Sequence, residues 1–183
     1  MKKIVAFVLC LVLLGSSAHA YVPVIQAEKK HTNILYSVMT VGPFLFAATA
    51  GFQNEGNIGE NPIWMNARGQ TFQAIFIPDN ISFFSDHEEV LNDLEELFIE
   101  SSLGDLWCGA SYAEKSGGCY KIGGIIKKDD LELFGIYAFC PDGMLTIIYT
   151  PENPNMPYVD FSSDDMDLIQ GIFDTISYIE YEK

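Results

Sequence analysis

The residue types that most often do chemistry are sparse in this chain, which contains four cysteines and three histidines. These are the usual nucleophiles, bases and soft metal ligands of proteins. Their spacing includes neither Cys-x-x-Cys nor His-x-x-x-His, the pairs expected of a redox or zinc site. Neither His31 nor His87 has a catalytic motif around it, and His87 is predicted to be a solvated residue in the first turn of an acidic helix. We therefore predict no catalytic residue, no metal site and no cofactor.

Three cysteines, Cys108, Cys119 and Cys140, lie outside the apolar N-terminal segment. An odd count is most simply explained by one disulfide and one remaining thiol. Cys108–Cys119 encloses ten residues and joins cysteines that would emerge consecutively during export, so it is the first choice. Cys119–Cys140 is the alternative, because both positions are equidistant from a predicted turn near Asp129–Asp130. Either bridge would stabilise the fold by roughly 2–4 kcal/mol.

The carboxylates are predicted to be structural or solvated. The densest cluster contains Asp160, Asp164, Asp165 and Asp167. Its spacing lacks the alternate ligands, central glycine and late glutamate of a calcium loop. Acidic side chains in a helical first turn, where the helix dipole favours negative charge, explain the cluster better.

Two irregular segments are the predicted binding surfaces. Tyr158 and Phe161 lie beside the proline-rich connector 151–157, where exposed aromatic side chains could form a recognition patch. Residues 51–62 are rich in glycine and asparagine and are predicted to form a surface loop that includes Asn57. Tyr158, Phe161 and Asn57 are the predicted binding residues.

The first twenty residues have the organisation of a secretory signal peptide. Lys2 and Lys3 precede the apolar run Ile4–Leu14, and Ala18-His19-Ala20 is a small-x-small cleavage signal. Eleven apolar residues are too few to span a bilayer. We expect residues 1–20 to be cleaved and residues 21–183 to form a single exported domain, secreted or periplasmic, with no membrane span.

Charge restricts the partners of the mature chain. Removing Lys2 and Lys3 from ten basic side chains leaves eight against 25 acidic ones, a net charge of −17. Such a chain repels phosphate backbones, which argues against nucleic-acid binding. A basic protein partner is electrostatically favoured.

Periodicity predicts two amphipathic helices. The first begins at Ser85, which has Glu88 at the capping-box position. Its apolar stripe is Val90, Leu91, Leu94, Leu97 and Phe98. The second begins from Ser162, with Asp165 at the same position and a stripe of Ile169, Ile172, Phe173 and Ile176.

The remaining apolar segments are predicted strands. The uncharged run 34–52 is interrupted by Gly42-Pro43, which favours two strands over a membrane-spanning helix. A hairpin over 63–77 and four later strands, the last two joined at Asp142-Gly143, follow. Tight turns between consecutive strands favour antiparallel pairing. The predicted fold is α+β, with a mostly antiparallel sheet of about six to eight strands and two helices packed on it.

The closing layout from Cys119 to Tyr178 consists of antiparallel strands, an Asp-Gly turn, a loop and a terminal amphipathic helix. It resembles the tail of PsbP/Mog1-like domains over about a third of the chain. The resemblance implies an α+β fold and transfers no functional residue.

These observations predict an exported, acidic, non-enzymatic binding or accessory protein. One alternative is an extracytoplasmic hydrolase, which would need at least two pocket carboxylates with raised pKa values. Another is an assembly or structural subunit of the cell envelope.

Overall fold

The computed structural model describes residues 26–28, 35–49, 51–58, 61–82, 86–100, 106–114, 118–128, 131–153 and 160–180. The predicted signal peptide, residues 1–20, and the predicted binding residue Tyr158 lie outside them. For Cys108 the backbone is described and the side chain is not.

The described strands form two antiparallel sheets. They are β1 (Gln26–Glu28), β2 (Leu35–Val41), β3 (Phe44–Thr49), β4 (Gln53–Ile58), β5 (Asn61–Met65), β6 (Thr71–Pro78), β7 (Leu106–Ala113), β8 (Cys119–Lys128), β9 (Leu131–Cys140), β10 (Gly143–Thr150) and β11 (Ser177–Tyr178). A seven-stranded sheet has the order β4-β5-β6-β10-β9-β8-β7, and a four-stranded sheet has the order β1-β2-β3-β11. Two helices complete the fold, α1 (His87–Glu100) and α2 (Ser163–Thr175). The predicted α+β class is confirmed.

The seven-stranded sheet has a hydrophobic core on each face. Successive side chains of a strand point to opposite sides, so neighbouring residues contribute to different cores. On β10, Leu145 and Ile147 belong to the core shared with the four-stranded sheet and α2, whereas Met144 belongs to the core beneath α1. Helix α1 packs on β7 and β8, and helix α2 packs on β3. The two predicted helices therefore lie on opposite faces of the large sheet.

The N-terminal caps differ in how well they were predicted. Ser162 and Asp165 form a reciprocal capping box at the start of α2, as their spacing predicts. At α1 the cap is Asp86, whose Oδ1 accepts from the backbone N–H groups of Glu88 (2.9 Å) and Glu89 (3.3 Å). The cap predicted at Ser85 falls on a residue outside the described set, and Asp86 does the capping.

Segment 51–62, predicted to be a loop, is largely β-structure. Its residues form β4 and the start of β5, with a register irregularity between Asn54 and Gly56. Gly56 has a φ of +114°, and its N–H donates to Asn54 Oδ1 at 2.8 Å. The prediction was wrong because β4 is an edge strand with exposed side chains, so its pairing leaves no apolar pattern.

Within the uncharged segment 34–52, residues 35–41 and 44–49 form β2 and β3 around the Gly42-Pro43 turn, as predicted. Neither helix in the described part of the chain has the length and apolar character needed to cross a bilayer.

Candidate functional site

The structure does not bring the predicted binding residues together. Asn57 is exposed on the edge strand β4. Phe161 is partly buried, and its ring packs edge-on against Tyr149 with centroids 6.2 Å apart. Tyr149 lies on β10, three strands from β4 in the sheet. The role of these residues in binding stays a prediction.

An exposed stripe that contains three carboxylates lies instead on helix α1. Glu88, Asn92, Glu96 and Glu100 recur every four residues and are all exposed, so they form one stripe along the helix. Ile99 lies beside the end of this stripe with 60% of its surface exposed. We call these five residues the α1 acidic face.

The charges on the α1 acidic face oppose the stability of their own helix at its C-terminal end. Glu88 lies in the first turn, where the helix dipole favours a carboxylate. Glu100 lies in the last turn, which contains no basic residue, and a negative charge there is unfavourable by roughly 0.3–1 kcal/mol. Glu96 and Glu100 are also like charges at i, i+4, which repel each other. A cation bound at this end would remove both penalties.

The opposite side of α1 anchors the helix to the sheet. Val90 and Phe98 are buried, and the Phe98 ring contacts Tyr137 edge-on with centroids 6.2 Å apart. Glu95 is partly buried, and its Oε1 accepts from the backbone N–H of Ala110 at 2.9 Å. Ala110 belongs to the edge strand β7, within an irregular stretch of its pairing with β8. Helical spacing could not reveal this contact, because the partner comes from another element.

Replacing Glu95 with alanine is expected to lower the free energy of unfolding by about 1–3 kcal/mol, because the Ala110 N–H loses a charged acceptor. The matched control is Glu96→Ala on the exposed side of the same helix, expected to change stability by less than about 0.5 kcal/mol. Urea denaturation measures both. Equal effects of the two substitutions would show that the Glu95 contact contributes nothing to stability.

His87 has contacts that its sequence position does not indicate. It is exposed, but its ring stacks on Tyr112 with centroids 3.9 Å apart, and Nδ1 is hydrogen-bonded to the Tyr120 hydroxyl. Burial, assisted by nearby Tyr112 and Asp86, raises the pKa of Tyr120. A phenol with a raised pKa remains protonated at neutral pH, so this pair fixes the start of α1 rather than supplying a phenolate nucleophile.

Asp165 is a buried carboxylate with a full set of donors. It accepts from the Ser162 backbone N–H (2.9 Å) and hydroxyl (2.6 Å), from Gln70 Nε2 (2.6 Å) and from the Tyr149 hydroxyl. Burial acts to raise the pKa of Asp165, but the hydrogen bonds from Ser162, Tyr149 and Gln70 outweigh it and lower the pKa. Asp165 is therefore ionised at neutral pH and cannot act as the protonated acid of a hydrolase.

The remaining acidic residues of the predicted cluster are exposed. Asp164 pairs with Arg68 at 2.7 Å, and both side chains are more than half exposed. Among the described residues, no group of three or more histidine, cysteine and acidic side chains is placed to hold a metal ion.

The thiols of Cys119 and Cys140 are both free and buried in this structure, and the pairing of the cysteines stays a prediction. Burial raises the pKa of Cys119, although Lys121 and the backbone N–H of Tyr178 act to lower it. Burial likewise raises the pKa of Cys140, to about 11, against hydrogen bonds from the backbone of Asp142 and Gly143. Both groups are therefore protonated thiols at neutral pH in the folded protein.

The sequence matches no protein-family model and no curated protein. The α1 acidic face is the candidate site on its own geometry, as an exposed helical surface of three carboxylates, one amide and one apolar side chain.

Proposed function

We propose that this protein is an exported, non-enzymatic binding protein whose α1 acidic face holds a basic protein partner. The observation that carries the proposal is Ile99, exposed beside carboxylates that destabilise the end of their own helix. Stability alone does not select such an arrangement. A partner with basic side chains around an apolar one would complement it.

Attraction to such a partner would act at two ranges. The net charge of −17 on the mature chain steers a basic protein toward it, and salt screens this effect. At contact, Glu96 and Glu100 offer carboxylates for lysine or arginine, while Ile99 offers apolar area. The long-range component belongs to the whole surface, whereas the contact component belongs to the α1 acidic face.

The test compares two double charge reversals in the mature chain, residues 21–183. One replaces Glu96 and Glu100 with lysine. Its matched control replaces Asp167 and Asp174, two exposed carboxylates of α2, with lysine, so both variants have the same net charge. The probe is a synthetic amphipathic helical peptide of lysine and leucine, titrated by fluorescence anisotropy at several salt concentrations.

We expect Glu96→Lys with Glu100→Lys to weaken peptide binding at least about tenfold, the effect of losing roughly 1.4 kcal/mol. The control should weaken it less, because it changes only the long-range field. The same Glu100 reversal should raise the stability of the fold by roughly 0.3–1 kcal/mol, since a basic residue suits a helix C-terminus. If the variant binds the peptide more weakly but is at least as stable as wild type, the weaker binding comes from a lost contact and not from unfolding.

Equal weakening by the two double variants would contradict the proposal, because binding would then depend on net charge alone. Ile99→Ser supplies a second comparison. It should weaken binding several-fold without changing the salt dependence, because it removes apolar contact and no charge.

The exported location is part of the proposal and has its own measurement. N-terminal sequencing of the native protein from the periplasm or medium should begin at Tyr21. Native material that begins at Met1 and stays in the cytoplasm would contradict it.

A further inference from the structure

The pairing of β8 with β9 brings Cys119 and Cys140 to the same end of the two strands. Tyr120 is the partner of Phe139, and the register continues without a shift to Lys128 and Leu131. Extending it by one residue sets Cys119, the first residue of β8, against Cys140, the last residue of β9. Both side chains are in the core shared with the four-stranded sheet, so they lie on the same face.

Opposed positions in an antiparallel pair have Cα atoms about 4.5–5.5 Å apart. Disulfides join Cα atoms about 4.4–6.8 Å apart, so opposed positions in such a pair fall within the range that a bridge requires. Cys108 is placed differently, because its partner on β8 is Gly123. Gly123 is four residues from Cys119, roughly 13 Å along a strand, which is too far for a bridge without backbone movement.

We propose that Cys119 and Cys140 form a cross-strand disulfide in an oxidising compartment and that Cys108 keeps a free thiol. The oxidant is an external disulfide of the glutathione class. One cysteine thiolate attacks it and releases a first glutathione thiol, and the second cysteine attacks the mixed disulfide and releases another. The two protein thiols lose two protons and two electrons, which the external disulfide gains.

Burial determines when the bridge can form. Cys119 and Cys140 are 1% and 0% exposed, so an oxidant reaches them only before the core closes. The β8–β9 hairpin is local in sequence and can align them early in folding. Once buried, the bridge is shielded from reductants by the same packing.

The test starts from the reduced, denatured mature chain, which is refolded with reduced and oxidised glutathione. Non-reduced peptide mapping by mass spectrometry should find Cys119 linked to Cys140 and Cys108 open to alkylation after denaturation. Bridged protein should unfold at a higher urea concentration than protein refolded with reductant. It should also resist a thiol reductant in buffer and be reduced rapidly in denaturant.

Two variants make the assignment specific. Cys108→Ser should keep the bridge and the raised urea midpoint. Cys119→Ala should abolish the bridge and leave two alkylatable thiols, and Cys140→Ala repeats this comparison from the other strand. Three free thiols after oxidative refolding, or a bridge that includes Cys108, would overturn the proposal. Either of these results would leave the proposed binding role of the α1 acidic face standing, because the two proposals share no residue.

Discussion

Replacing Gly143 with alanine is expected to lower the free energy of unfolding by at least about 3 kcal/mol, combining backbone strain with a steric clash. Gly143 has a φ of +148°, which side-chain-bearing residues rarely adopt. An added Cβ would lie 2.2 Å from the backbone oxygen of Ile77 and 3.0 Å from the backbone N of Asp79. The strands β6 and β10 would have to separate at the centre of the large sheet.

Gly171→Ala is the matched control for Gly143→Ala. Gly171 lies inside α2, and an added Cβ would have no neighbour within 4 Å beyond the helix itself. Alanine suits a helix interior better than glycine, so this variant should gain roughly 0.5–1 kcal/mol. Urea denaturation of both variants checks the pair. A Gly143→Ala protein as stable as wild type would show that the turn relaxes without cost.

Replacing Asp165 with alanine is expected to lower the free energy of unfolding by about 3 kcal/mol, because buried donors lose their acceptor. The Tyr149 hydroxyl and Gln70 Nε2 both donate to Asp165, and both residues are buried. The same substitution removes the capping box at the start of α2. These contacts join α2 to β10 and to the residue that precedes β6, so their loss should loosen one side of the core.

Asp164→Ala is the control for Asp165→Ala, since the Asp164 carboxylate is exposed and, within the described part of the chain, pairs with Arg68. Exposed pairs of this kind contribute little, so Asp164→Ala should be close to wild type in stability. If both substitutions lowered the free energy of unfolding by similar amounts, negative charge near the start of α2 would account for the effect, and the buried hydrogen bonds of Asp165 would not.

Asp165 also predicts how stability depends on pH. Its pKa is lower in the folded protein than in the unfolded chain, so the unfolded state binds a proton more readily. The contribution of Asp165 is fully present above the unfolded-state pKa, near 4, and is lost as the pH falls through the folded-state value. Asp165→Asn should flatten this acid-side slope of the free energy of unfolding, measured by urea titration at stepped pH. If Asp165→Asn left the acid-side slope unchanged, Asp165 would not be the source of this pH dependence.

Much of the fold is predictable because its signals are local. The Ser162–Asp165 capping box and the Asp142–Gly143 turn depend on neighbours within a few residues, and both stand where their spacing predicts. Alternation and helical periodicity then lead to the α+β class, since burial of one face is the main demand on each element.

The functional assignments depended more on long-range contacts. Glu95 and His87 are ordinary helix residues by sequence, and only the packing of α1 on β7 and β8 gives them Ala110, Tyr112 and Tyr120 as partners. Ile99 lies outside the apolar stripe of α1, so helical spacing is consistent with its exposure, whereas the partial burial of Glu95 follows only from its contact with Ala110.

By itself, the sequence determined both helices and most of the strands, with β4 an exception, together with the acidic charge and the number of cysteines. The tertiary structure decided which strands share a sheet, that Asn57 lies on an edge strand, and that Cys108 pairs with Gly123 rather than with Cys119. Strand pairing joins residues far apart in the chain through backbone hydrogen bonds, which every residue type except proline can make. Strand pairing is therefore hard to predict from residue types, whereas caps and turns require particular side chains at fixed spacings.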